Sequence, residues 1–144
     1  MLAQLAQAHC EIPCGIYDDD LRFDLIFEHI HTLEKSIAEI KKYEGKKNNN
    51  QQFVRWVINK EKHATEIQDI VTQYFLTQRI KPNPNHNHYA DLVAYFHEMM
   101  VLAMQVKQNA NSEQEIQKLH KLVEKTQKTY QEYRNYLESL QKKS

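Results

Sequence analysis

The chain has 144 residues, room for one domain around a single hydrophobic core, and its 41% hydrophobic and 26% charged residues are the balance expected of a globular protein. Two glycines and three prolines are too few for the turns of a sandwich or barrel, and they favour long helices. Nineteen basic residues match nineteen acidic ones, which argues against nucleic acid as a partner, and no apolar run approaches the ~20 residues that span a bilayer.

In chain order, residues 1–8, MLAQLAQA, resemble the tail of a processing segment. Leu2 and Leu5 are too little apolar surface for an export signal, so the expected compartment is cytoplasmic. Residues 9–17, HCEIPCGIY, cannot be helical, because Pro13 biases Ile12 away from the α region. A first helix follows, with Asp18, Asp19 and Asp20 suited to the positive end of its dipole and Lys41 and Lys42 to the negative end. Its stripe is Ile26, Ile30, Leu33, Ile37 and Ile40, and the run EGKKNNNQ breaks it.

The second helix carries Phe53, Val57, Ala64, Ile67, Val71 and Tyr74, with Trp56 beside them. It runs out at Ile80, before two closely spaced prolines. The third stripe is Tyr89, Leu92, Val93, Phe96, Met99, Met100, Ala103 and Val106. After a break at 109–112 the fourth is Ile116, Leu119, Val123, Tyr130, Tyr133, Leu137 and Leu140, with its tyrosine hydroxyls expected at the bundle edge. Each stripe covers one face, and the short connections favour antiparallel neighbours. The predicted fold is all-α: an antiparallel up-down-up-down four-helix bundle over 18–142, with an irregular N-terminal hook at 9–17.

A bundle can hold a di-iron site, which needs a Glu-x-x-His pair on each of two helices. Glu28 and His31 form one pair and no second exists, so both are expected on a solvated or subunit-facing surface. His63, His97 and His120 are lone helical residues expected to pack or cap. His86 and His88 fall in the Asn-Pro loop, where they could chelate adventitious metal, and Met99 and Met100 are at core spacing.

The chemistry concentrates in residues 9–17. Cys10 and Cys14 would close too short a loop to staple the fold, so metal binding or redox chemistry is the better question for them. Two thiolates and the His9 imidazole converging on one point make a soft nitrogen-and-sulfur metal site. Spacing alone names no metal: zinc would accept such a set with an open position, and a reactive or disulfide pair stays open.

HCEIPCGIY resembles the nickel hook of the nickel superoxide dismutases, His-Cys-x-x-Pro-Cys-Gly-x-Tyr, at every fixed position. Residues 55–61 and the Lys81-Pro82 ending of the second helix are similar to that family more loosely. The resemblance implies a four-helix bundle, a homohexamer, and one nickel ion per subunit. The ligands would be the thiolates of Cys10 and Cys14, the Cys10 backbone amide, the free amine of His9 and, in the oxidised state, its imidazole.

That amine exists only if the chain is cut after Ala8, which implies a maturation peptidase, a leader at 1–8 and a mature domain at 9–144. Pro13 and Gly15 would shape the hook, Tyr17 would stand over the open face of the metal, and Glu11 would offer its backbone amide near superoxide. The axial imidazole would be supported by Asp24, matching the family's carboxylate, and by His63, where the family has arginine.

The implied activity is nickel-dependent disproportionation of superoxide to dioxygen and hydrogen peroxide through Ni(II)/Ni(III) cycling. A nickel- or zinc-binding storage or delivery protein is the alternative, and it predicts bound metal without turnover. A helical interaction module with incidental cysteines predicts that Cys10→Ser changes nothing measurable.

Overall fold

The structure, a computed structural model, describes residues 19–46, 48–83 and 86–141; the hook and the leader before it lie outside the described residues. Four helices account for nearly all of them: α1 (Asp19–Tyr43), α2 (Asn50–Asp69), α3 (Asn87–Gln108) and α4 (Glu113–Gln141). A π-helix, Ile70–Arg79, continues α2 without a break. α1 packs on α2 and α4, and α3 packs on α2 and α4, so the helices stand at the corners of a square.

Contacts between helix ends fix the directions. Lys41 near the end of α1 pairs with Glu113 at the start of α4. Asp19 at the start of α1 meets Tyr130 late in α4, and Lys60 on α2 reaches Asn109 just past α3. The antiparallel bundle is therefore as predicted.

α1 begins with Asp19 and Asp20 and ends with Lys41 and Lys42, charges that oppose the helix dipole at each end. Gly45, at φ +72°, takes the left-handed conformation in the turn beyond Tyr43. The α1 stripe is buried throughout, and the predicted break at 109–112 separates α3 from α4.

Some placements differ from the stripes. Val93 is 37% exposed and Leu140 45% exposed, because each lies at the margin of its helix face. Phe53 and Val57 are only half-buried near the start of α2. Conversely, Phe23, Phe75, Leu102 and Leu122 belong to the core without having been assigned to it.

Phe75 lies in the π-helix, whose wider turn is closed by the Ile80 amide donating to the Phe75 carbonyl at 2.9 Å. Val71, Tyr74, Phe75 and Gln78 are its buried residues. Phe75 sits 4.6 Å from Phe23, 4.7 Å from Phe96 and 5.3 Å from Tyr130, ring centre to ring centre, and forms the aromatic heart of the bundle.

At the far end, Lys60 is 4% exposed and its Nζ donates to the Asn109 carbonyl at 2.8 Å. The cation there satisfies the negative end of α3.

Candidate metal centre

The described chain begins at Asp19, two residues after Tyr17. The N-terminal end of α1 is thus the part of the bundle to which the hook is tied.

Asp19 is 2% exposed, which no helix-end charge requires. Its Oδ2 accepts from Arg79 Nη2 at 2.7 Å and from the Tyr130 hydroxyl at 3.0 Å, and its Oδ1 accepts from the Tyr74 hydroxyl at 2.5 Å. Arg134 Nε lies 3.5 Å from the same Oδ2. Arg79 also donates from Nε to the Tyr130 oxygen at 3.3 Å.

Each partner reaches the carboxylate for a local reason: the π-helix turns Tyr74 and Arg79 inward together, and Tyr130 and Arg134 are one turn apart on α4. Burial pushes the Asp19 carboxyl up, but the bonds from Arg79 and Tyr74 and the Arg79 charge outweigh it and hold its pKa below the usual carboxylate range. Burial and the bond to Asp19 push the Tyr74 phenol up to about 12. Burial, then the Asp19 charge, raises the Tyr130 phenol against the pull of Arg79.

A cavity of about 540 Å³ opens beside this cluster, with Arg79, Lys81 and Arg134 on its wall against the single carboxylate of Glu138. Two buried polar atoms at this end, Arg22 Nε and Gln78 Oε1, have no hydrogen-bond partner among the described residues. The Arg22 guanidinium lies 4.9 Å over the Tyr74 ring.

Of the sequence-predicted site residues, His9, Cys10, Glu11, Pro13, Cys14, Gly15 and Tyr17 lie outside the described residues. Asp24 is exposed on α1, and the partner of His63 is His29, Nδ1 to Nδ1 at 2.8 Å across the α1–α2 seam. Burial, then the His63 charge, lowers the His29 pKa, against the opposing pull of Glu66 and Glu28. His63 is therefore not a lone histidine.

Among the other histidines, His97 is exposed, and neither packs nor caps. His120 stacks 5.2 Å from Phe27, as a packed residue should. His86 caps α3 by accepting from the His88 amide, and His88 lies in the first turn of that helix, not in the loop. Glu28 and His31 face outward, His31 with 83% of its side chain exposed. The Tyr130 hydroxyl is buried on Asp19 and not at the edge, whereas Tyr136 is 38% exposed at the rim. In the sequence Asp19 reads as a dipole charge, and nothing there distinguishes Arg79 or Arg134 from surface arginines. No single-residue signal marks them, because the cluster joins positions far apart in the chain.

Among the described residues, no group of three His, Cys, Asp or Glu side chains is arranged to hold a metal ion, and no helix is long and apolar enough to cross a membrane. The only cysteines of the chain are Cys10 and Cys14. Soft metal chemistry, if the protein carries it, must be supplied by the segment ahead of α1.

A four-helix bundle preceded by a His-Cys-x-x-Pro-Cys segment has the layout of a helical metalloprotein. Comparison with protein families makes it particular: residues 4–134 match the nickel-containing superoxide dismutases, and the chain belongs to that family. It is accordingly an oxidoreductase with a nickel cofactor. No curated protein and no solved structure gives a significant match to the chain.

Proposed function

We propose that the mature chain, cut after Ala8, disproportionates superoxide to dioxygen and hydrogen peroxide at a nickel ion held by residues 9–14. The observation that carries this reading is HCEIPCGIY, complete at every fixed position of the hook and continuous with a family match through residue 134. The donor set suits the metal: two thiols, an imidazole and a terminal amine are nitrogen and sulfur ligands that nickel accepts. Bound nickel supplies a one-electron Ni(III)/Ni(II) couple, which thiolate and amide donors bring into the range superoxide can both reduce and oxidise.

The chain's own residues do the rest. Cys10 and Cys14 would hold the metal as thiolates, together with the Cys10 amide and the amine and imidazole of His9. Cleavage after Ala8 would free that amine, so activity would wait for the peptidase. Pro13 and Gly15 would set the hook's turn, Tyr17 would orient superoxide or water, and Glu11 would offer its amide to the substrate. Asp24 and His63 would support the His9 ring, and His63 itself is paired with His29. A homohexamer in the cytoplasm completes the reading.

Native mass spectrometry of protein from its own host tests it. A chain beginning at His9, with one nickel per subunit in a sixfold assembly, is the expected result. A chain beginning at Met1 and carrying zinc overturns it, because the amine ligand is missing and zinc has no redox couple. Nickel bound without superoxide turnover points instead to storage or delivery.

A further inference from the structure

At the start of α3 two imidazoles and a carboxylate from α4 meet on the surface. His86, His88 and Glu132 line one pocket of about 310 Å³, which Asn87 and Tyr136 complete. His88 Nε2 lies 3.4 Å from Glu132 Oε2. That separation is longer than the roughly 2.7–3.2 Å of an N–H···O hydrogen bond. It is the spacing of two ligands on one ion: bonds of about 2.1 Å at the tetrahedral angle put neighbouring donors about 3.4 Å apart.

The third side chain is close and well held. The His86 ring centre is 5.5 Å from that of His88, and it packs 4.1 Å from Tyr136 and 5.2 Å from Tyr133. Two imidazoles bound to one tetrahedral ion have ring centres about 5 Å apart. His86 Nδ1 accepts the His88 amide at 3.2 Å and so caps α3. A neutral imidazole has one ring lone pair, and it can serve either that amide or an ion. With the lone pair on the amide, the described residues hold no finished group of three donors.

We propose that His86, His88 and Glu132 form a second metal site, which takes a divalent late transition ion of the zinc type by exchanging the α3 cap for a metal bond. Two nitrogens and one carboxylate oxygen are a donor set that zinc accepts, with water in the fourth position. The bound ion clamps the first turn of α3 to α4. Glu132 supplies the charge that the site needs, because the positive end of the α3 dipole opposes any cation placed there. An ordinary surface pair of His88 with Glu132 accounts for neither the length of their contact nor the second imidazole beside it. The site uses no residue of the hook, so it stands or falls apart from the nickel reading.

Zinc titration by calorimetry tests it on the full chain carrying Cys10→Ser and Cys14→Ser, in which no thiolate remains. The expected result is a zinc site of micromolar affinity. Adding Glu132→Gln or His88→Gln should weaken it at least tenfold. Adding His86→Asn should do the same, and since asparagine is itself a helix cap, far-UV circular dichroism should not change. Copper(II) in place of zinc gives a second reading: electron paramagnetic resonance should show one imidazole nitrogen fewer on the copper in His86→Asn.

Absence of a micromolar zinc site overturns the proposal. So does a zinc site that all three substitutions leave intact, which would be an adventitious ion elsewhere on the surface. Weakening by His88→Gln and Glu132→Gln without any effect of His86→Asn, or an unchanged nitrogen count on copper, reduces the contact to a two-donor surface pair and also overturns it.

Discussion

Replacing Asp19 by alanine separates a stabilising cluster from a charge at a helix end. Were Asp19 only a complement to the α1 dipole, its loss would cost about 0.3–1 kcal/mol. The structure gives a larger figure. Asp19 is 2% exposed, and alanine leaves the Arg79 guanidinium and two phenolic hydroxyls without their acceptor. Breaking a buried pair from one side costs about 3–5 kcal/mol. Arg79 is 31% exposed on its side chain, so water can partly replace the carboxylate and the lower half of that range applies.

The assay is urea unfolding followed by circular dichroism, on metal-free protein at one fixed concentration, because bound metal and assembly add to apparent stability. With a slope of about 2 kcal/mol per molar urea, the midpoint should fall by roughly 1.5–2 M. Asp19→Asn should cost less, about 1–3 kcal/mol, since the amide oxygen still accepts one of the bonds. A loss under about 1 kcal/mol for alanine, at an unchanged slope, would refute the cluster and return Asp19 to the dipole.

Acid unfolding should carry the same signature. The folded pKa of Asp19 lies below its unfolded value, so its contribution is fully present above about pH 4 and is lost as pH falls through the folded value. The pH dependence of the urea midpoint below 4 should be shallower in Asp19→Asn than in the parent chain. Phe75→Ala removes the ring that Phe23, Phe96, Tyr74 and Tyr130 enclose, and should cost about 3–5 kcal/mol in the same unfolding assay. Cys14→Ser should abolish nickel binding and superoxide turnover, read by metal analysis and pulse radiolysis, while shifting metal-free stability by no more than about 0.5 kcal/mol.

Helix periodicity made the bundle legible before any coordinates. The positions Ile26, Ile30, Leu33 and Ile37 define one face of a helix whatever surrounds them, and every one is buried. Periodicity failed where the stripe was drawn too narrow. Val71, Tyr74 and Phe75 are all buried at i, i+3 and i+4, and a stripe that takes one residue per turn leaves out Phe75. It also failed wherever a polar residue was buried by partners distant in sequence. Asp19 reads as an N-terminal charge because its neighbours Asp18 and Asp20 are charges, while the residues that bury it, Arg79 and Tyr130, are remote. His63 reads as solitary because His29 sits on another helix. The segment 9–17 is the opposite case: its residue types and spacing lie within a few consecutive positions, so the nickel-containing family was legible without the fold.

The two ends of the bundle are tied by polar groups that do not need a metal. At one end Lys60 closes α3 through the Asn109 carbonyl, and Lys41 pairs with Glu113. At the other, Asp19 joins α1 to the π-helix and α4 through Arg79, Tyr74 and Tyr130. Structural metal sites behave differently: small domains built on them unfold when the metal leaves. Here the proposed ligands precede the first helix in sequence, and the described core is formed by side chains of the four helices and the π-helix. Chelation should therefore leave far-UV circular dichroism unchanged while nickel and activity disappear, and restored nickel should restore activity without refolding. A loss of helicity on chelation would mean that the hook braces the bundle, and the order of cause argued from Asp19, platform first and metal second, would have to be reversed.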